Sequence, residues 1–389
     1  MQLAFSAEEE QFRAQVRDWI RTNKPRKPSP LHAPALREYD LDWQRRQFEG
    51  GWAGIAWPKE YGGLGLSLTR QLIWYEEYAK AGAPFIGTCF VGILHGGPTL
   101  IVRGNEEQKS YHLPKILRGE VVWCQGFSEP SAGSDLGSLR TRAHIDGDHL
   151  VVNGQKVWTS YADVADWQEL LVRTDPEAPK HKGITWVICN MKTPGITVRP
   201  IKMLDGRAEF CEVFYDNVRI PLKNVVGKVN DGWNVAMSTL SFERGSAFIL
   251  DQVELGVHLQ HLIDLAKDTR GLDGRPLIQN DAIAEKLATM KAEVTALRAM
   301  TYATVSRSLN TDQPGLEGSL IRVFYTNVQH RMYQLAMEMQ GNAAIKLHPT
   351  EPGWTRSYLY SFASTIAAGA VQIQRNIIAE RILGMPRSR

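Results

Sequence analysis

Apolar residues recur at helical spacing near both ends of this chain and alternate with polar ones in its middle. Ser6, followed by Glu8, Glu9 and Glu10, reads as a helix start, because a hydroxyl can accept from a free first-turn N–H and acids favour the positive helix end. Phe12, Val16, Trp19 and Ile20 then mark one face. Four prolines from Pro25 to Pro34 break the pattern, and the next helix is expected from near Leu36. The stretch GGWAGIAWPKEYGGLG, Gly50 to Gly65, reads as a connector packed by Trp52 and Trp57. Helices follow through Tyr75, Ala79 and Leu100.

From Val121 to about Val226 the character changes to strands such as HLVV, KVWTS and GITWVICN. Asp146-Gly147 and Asn153-Gly154 are both hairpin-turn dipeptides, which predicts a small antiparallel β domain. Beyond Asp231, helical patterns cover 233–268, 280–309, 317–340 and 355–383, with TRGLDGRPL as a turn joining the first two. Four long amphipathic helices make a bundle. The expected fold is therefore mostly α with a central β domain. It comprises an N-terminal helical domain over 1–120, a small antiparallel β-barrel domain over 121–228 and a C-terminal four-helix bundle over 229–389.

A chain of 389 residues exceeds one core of typical size, in keeping with that division. Hydrophobic residues at 43% and charged ones at 22% describe a globular protein, and a formal charge of +3 lacks the basic stripe of a nucleic-acid binder. Cys89, Cys124, Cys189 and Cys211 are scattered without metal-ligand spacing, so no zinc site or disulfide framework is expected. A reducing cytoplasm fits. The N-terminus carries acids where a signal peptide would carry bases, and no stretch approaches the ~20 apolar residues of a membrane span.

The chemistry concentrates in GFSEPSAGSDLGS, Gly126 to Ser138. Ser131, Ala132 and Gly133 allow a sharp turn that can present N–H groups to an anionic or carbonyl ligand, although the same composition also makes ordinary surface turns. Gly126, Phe127, Ser128, Glu129, Ala132, Gly133, Ser134 and Asp135 resemble, residue for residue, the first signature of the acyl-CoA dehydrogenase flavoenzymes. NGQKVWTS, Asn153 to Ser160, resembles the second signature, and the Gly50–Gly65 connector is similar to the family's linker. The resemblance extends along nearly the whole chain.

It implies FAD as cofactor, an acyl-CoA thioester as substrate and an electron-transfer flavoprotein as electron acceptor. It places Phe127 and Ser128 at the flavin's pyrimidine edge, Trp158 against its ring, Ser160 near its N5 and Ser134 on the CoA portion. Asp135 reads better as a local turn cap. A family loop that holds a neighbouring subunit's cofactor matches RGLDGRPL, which keeps Arg270, Gly274 and Leu277 but has Asp273 where an aromatic is usual. In MEMQGNA, Gly341 remains while Met337 replaces a glutamine; Gln372 also remains among the expected cofactor contacts. The resemblance therefore implies an oligomer, a dimer or homotetramer.

The family's usual catalytic glutamate precedes a glycine near the C-terminus. Here that segment reads IAAGAVQIQR and puts Ala368 at the position, so its side chain cannot act as a base. Isovaleryl-CoA and long-chain acyl-CoA dehydrogenases carry the base on an earlier helix, in a Glu-Arg pair that Glu243-Arg244 matches. Glu243 is thus the expected base, with Arg244, Ser134 and the N–H of Ala368 as substrate contacts. The Glu243 position and the ending QRNIIAERILGMPR look most like actinobacterial enzymes of steroid breakdown, which implies a bulky or branched acyl group. Two other readings stay open: a catalytically silent partner subunit of a heteromeric dehydrogenase, and a flavin oxidase or monooxygenase on the same scaffold.

Overall fold

The computed structural model of the chain describes residues 5–245, 247–308, 317–347 and 353–387, without the side chains of residues 243–245, 247, 248, 251 and 308. In chain order the helices are α1 Ala7–Asn23, α2 Ala33–Glu49, α3 Leu68–Lys80, α4 Gly97–Arg103 and α5 Glu106–Leu117. Strands follow as β1 Trp123–Gly126, β2 Arg142–Asp146, β3 His149–Ser160, β4 Trp167–Arg173, β5 Ile184–Asn190, β6 Ile196–Pro200 and β7 Phe210–Pro221. Then come α6 Gly232–Gly245, α7 Ala247–Asp268, α8 Asp281–Ser308, α9 Glu317–Gln340, α10 Gly353–Ser364 and α11 Val371–Ile377. Helical N- and C-terminal parts thus flank a middle β domain. None of the described helices is long and apolar enough to cross a membrane.

Contacts group the chain into two compact units. One comprises Pro25–Leu66 with Pro84–Glu243; the other comprises Met1–Lys24, Ser67–Ala83 and Arg244–Arg389.

In the first unit the strand order is β1-β4-β2-β3-β7-β6, with β5 paired to β4. Most pairings are antiparallel, but β1 runs parallel to β4 from Trp123↔Trp167 to Gly126↔Leu170. One face of the curled sheet closes over Leu150, Val152, Leu170, Val187 and Val213, all fully buried. A second core joins β-domain residues Trp123, Phe127 and Trp186 to Trp57, Leu100 and Leu117.

The two hairpin dipeptides behave differently. Asp146-Gly147 turns as expected, with Gly147 at φ 59° between the paired residues Asp146 and His149. Asn153-Gly154 does not turn, because β3 runs on through it to Ser160. Gly154, at φ 150°, sits at a shift in the β3–β7 register, and an added Cβ would lie 2.7 Å from the Thr141 Cα. Close backbone approach at a bulge, not a hairpin, explains this glycine.

In the second unit, Ser6 caps α1 as expected, and Glu9 completes a capping box by accepting the Ser6 N–H. Phe12, Val16 and Ile20 of α1 are buried. Leu262, Leu297, Val328 and Leu335 represent the core shared by α7, α8 and α9, and α10 packs on α9. The apolar period over 355–383 does not make one helix. It is interrupted between α10 and α11, where Ala368 (φ 52°) and Gly369 (φ 94°) both take left-handed backbone. Pro34 likewise stands inside the first turn of α2 instead of ending the loop before it, a position where its missing N–H costs nothing.

Candidate active site

The loop that follows β1 is built around a buried ion pair. Phe127 turns its ring into the core, which leaves its backbone to be used. Its carbonyl accepts from the Lys156 ammonium at 3.0 Å. The same ammonium donates to Glu129 Oε1 at 2.8 Å, and Lys156 is completely buried. Glu129 in turn accepts the Thr141 N–H through Oε1 at 2.8 Å and the Arg140 N–H through Oε2 at 2.6 Å. Burial pulls the Lys156 pKa down to about 8, with Glu129 opposing the fall. Burial also works against ionised Glu129, but the Lys156 charge and the hydrogen bonds outweigh it and its pKa is lowered. Both groups are therefore charged at neutral pH.

Of the Ser131-Ala132-Gly133 turn expected to present N–H groups to a ligand, the Ala132 N–H instead donates to the Glu129 carbonyl, and the Glu129 N–H donates to the Ala132 carbonyl, both at 3.0 Å. Gly133 and Ser134 stand at the exposed tip, and nothing lies within 4 Å of where a Gly133 Cβ would be. The Asp135 carboxylate reaches beyond its own turn to pair with Lys180 at 2.6 Å, while its backbone carbonyl accepts from the Ser138 hydroxyl at 2.7 Å.

On β3, the register against β7 slips between Lys156 and Thr159. That irregularity contains Trp158, whose backbone is left-handed at φ 61°. Such a conformation costs about 1–3 kcal/mol for a bulky residue and persists only where the flanks hold it. They do here: Lys156 is pinned by its ion pair, and the Val157 N–H donates 3.0 Å to the Ser128 carbonyl. The result is an indole that is 59% exposed, with its edge against Phe210. Ser160, half-buried, closes the strand opposite Phe210. The structure thus ties Phe127, Ser128 and Trp158 together through adjacent hydrogen bonds.

Glu243 and Arg244 lie in the last turn of α6, and their side chains are outside the described residues. Leu240, one turn earlier, is partly buried against the core.

In the helical unit, the break before α11 is held from two sides. Arg322 on α9 donates to the carbonyls of Ser364 at 2.8 Å and Ala367 at 3.1 Å. Gln374, buried, accepts from the Ser319 hydroxyl at 2.8 Å and donates to the Gly369 carbonyl at 3.4 Å. Among the described residues no acceptor engages the Ala368 N–H. Gln372 is exposed on the first turn of α11. Arg270 is exposed in the turn between α7 and α8. Asp273 folds back on that turn, accepting from the N–H and Nε of Arg275. Gly341 follows α9 at φ 52°.

Sequence reasoning missed Lys156, Arg322 and Gln374. Lys156 carried a legible signal, a lone cation within the apolar and β-branched run of the second signature, facing an invariable need for a counter-charge once buried.

Profiles of three acyl-CoA dehydrogenase domains match the chain in succession: the N-terminal domain over residues 6–120, the middle domain over 124–218 and the C-terminal domain over 230–383. The chain belongs to the acyl-CoA dehydrogenase family. Acyl-CoA dehydrogenase IpdE1 of Mycobacterium tuberculosis is 40% identical over 387 residues, covering 97% of this chain and 98% of the relative. Among solved structures, the Tcur3481-Tcur3483 steroid ACAD superposes with a TM-score of 0.87 at 31% identity, and the ChsE4-ChsE5 complex from Mycobacterium tuberculosis with 0.85 at 32%. Both cover 100% of this chain and of the matched chain. This acyl-CoA dehydrogenase is accordingly an oxidoreductase, and one solved structure it resembles is a steroid ACAD by name.

Proposed function

We propose that the protein is an FAD-dependent dehydrogenase that introduces an α,β double bond into a bulky, branched or steroid-derived acyl-CoA. The observation that carries this is Trp158: a fixed, exposed indole beside Ser128 suits a flat, partly polar ring system. FAD, when bound, supplies the acceptor for the hydride leaving the substrate's β-carbon. Trp158 covers one ring face and excludes water, Phe127 and Ser128 hold the pyrimidine edge, and Ser160 donates near N5. Arg270, Gly341 and Gln372 hold the remainder of the cofactor, with Arg270 reaching a neighbouring subunit.

Ser134 and Arg244 bind the substrate. Glu243 removes the α-proton, and a carboxylate of ordinary pKa near ~4.3 gains the basicity for this by desolvation when substrate binds. The Ala368 N–H donates to the thioester oxygen, a role that survives the loss of an acidic side chain and suits its unengaged, left-handed backbone. An electron-transfer flavoprotein would be the acceptor that restores the oxidised cofactor. The divisions 1–120, 121–228 and 229–389 serve as helical, flavin-facing and bundle domains.

Exposed Phe362, Ile366, Ile373, Leu383 and Met385 support association into a dimer or homotetramer. Ala368, Met337 and Asp273 favour a second reading, in which the chain works inside a heteromeric dehydrogenase, and one structural relative is a two-protein complex by name. The deciding experiment is flavin content per subunit, followed by anaerobic bleaching with a panel of acyl-CoA esters. One FAD per chain and fastest bleaching by a bulky thioester are expected. A colourless protein that stays apo in excess FAD moves the heteromer reading ahead.

A further inference from the structure

We propose that Lys156 and Glu129 form a positioning pair that couples the flavin-facing residues to the CoA-facing loop, so that one buried ion pair sets the affinity for both ligands. The inference rests on the assignment of Phe127, Ser128 and Trp158 to the flavin and of Ser134 to CoA. Its basis is connectivity. The Lys156 ammonium reaches the Phe127 carbonyl at 3.0 Å on one side and Glu129 at 2.8 Å on the other. The residue after Lys156 holds the Ser128 carbonyl, and the next is Trp158 in its left-handed conformation.

Glu129 serves the other half. Its two oxygens take the N–H groups of Arg140 and Thr141, which closes the 129–141 loop at its base and leaves Ser134 at the tip. Arg173 steadies the far arm of that loop by donating to the Gly137 carbonyl at 2.6 Å. An interior ion pair is a poor device for stability alone, since apolar replacements are often no worse. Here each charged group is spent on backbone atoms of a ligand-facing segment. A positioning role accounts for that choice.

The two members make different predictions. Lys156→Met removes both anchors, so FAD and CoA affinities should each fall about tenfold or more, the scale of a lost charged hydrogen bond. Glu129→Gln keeps an oxygen for Lys156 and Thr141 but turns an amide N–H toward the Arg140 N–H. The Phe127 anchor survives while the loop base opens. CoA affinity should then fall about tenfold while FAD affinity stays within about threefold.

The test titrates FAD into the apo full-length protein by quenching of flavin fluorescence, then CoA itself into the FAD-loaded protein by calorimetry. Circular dichroism of each variant reports the fold. Wild-type protein that holds both ligands while Lys156→Met binds them equally well overturns the pair alone. Wild-type protein that holds neither overturns the flavin reading and the pair with it. If Lys156→Met does not fold, Glu129→Gln decides: unequal losses support the pair, and equal losses or none refute it.

Discussion

Arg322 on α9 holds the carbonyl of Ala367 at 3.1 Å, one residue before the left-handed Ala368. The same guanidinium takes the Ser364 carbonyl at the end of α10, where a cation also suits the negative helix end. The helical bonding still reaches Ala367, whose N–H donates to the Ala363 carbonyl at 2.9 Å, and the two carbonyls that Arg322 takes flank the point where Ala368 and Gly369 turn left-handed.

Arg322→Met should therefore relax the turn that presents the Ala368 N–H. Expected is a fall of about tenfold in kcat/KM for acyl-CoA, the worth of one charged hydrogen bond, with FAD still bound. Arg322→Lys should recover part of it. Steady-state kinetics with flavin absorbance as the occupancy check would decide, and wild-type kcat/KM in Arg322→Met would refute the role.

A second prediction concerns acid. Glu77 on α3 is buried and takes Arg17 at 2.7 Å and Arg13 at 3.0 Å, while the adjacent Glu76 takes Arg13 at 2.7 Å and Arg298 at 3.1 Å. Burial opposes the Glu77 charge, but the two arginines win and lower its pKa to about 2. A depressed folded pKa contributes stability that is complete above the unfolded value near ~4.3 and is lost as pH falls toward 2. The contribution is about 3 kcal/mol. Glu77→Gln should cost most at pH 7, and the gap between its urea midpoint and that of the wild type should narrow by about half as pH falls from 5 to 3. A difference independent of pH would refute the linkage.

A third runs the opposite way. Asp40 on α2 is buried against Thr88, whose N–H and hydroxyl both donate to Oδ2, at 2.7 and 3.0 Å. Burial raises its pKa to about 6, and the Thr88 bonds only moderate the rise. A carboxyl raised in the fold favours folding when protonated, so its contribution is present in acid and lost as pH rises from about 4 through 6. Asp40→Asn should remove this dependence. The variant's melting temperature relative to wild type should climb between pH 4 and pH 8, by the equivalent of about 3 kcal/mol. A flat difference would refute it.

Legibility in the sequence followed the range of the interactions. The Ser6 cap of α1 and the Gly147 turn involve neighbours within a few residues, and both were readable. Gly154 belongs to the same dipeptide class, but its conformation answers to Thr141 on another segment, which no local pattern reports. The period over 355–383 predicted one helix because Arg322 and Gln374, which hold the break, come from elsewhere in the chain or act on carbonyls. Only four residues long, β1 shows too little alternation to announce its parallel pairing with β4. Trp158 was identifiable by motif, whereas its inverted backbone depends on a register slip against β7.

The last prediction addresses the base. Ala368 has no acidic group, and Glu243 stands in the last turn of α6 after the partly buried Leu240. General-base catalysis contributes on the order of 10²- to 10⁴-fold in rate, so Glu243→Gln should slow flavin reduction by acyl-CoA at least that much. The amide keeps the side-chain volume, and FAD and CoA should still bind, which separates lost proton transfer from lost folding. The double variant Glu243→Ala with Ala368→Glu moves the carboxylate to the other position used within the family. Its recovery should be partial and confined to straight-chain thioesters. A glutamate at 368 would stand on left-handed backbone, which disfavours it, and a displacement of about 1 Å can cost ~10²-fold. Stopped-flow reduction under anaerobic conditions measures both. Glu243→Gln that reduces its flavin at the wild-type rate would place the base elsewhere, since neither the residual amide nor Ala368 can take a proton from carbon at that rate.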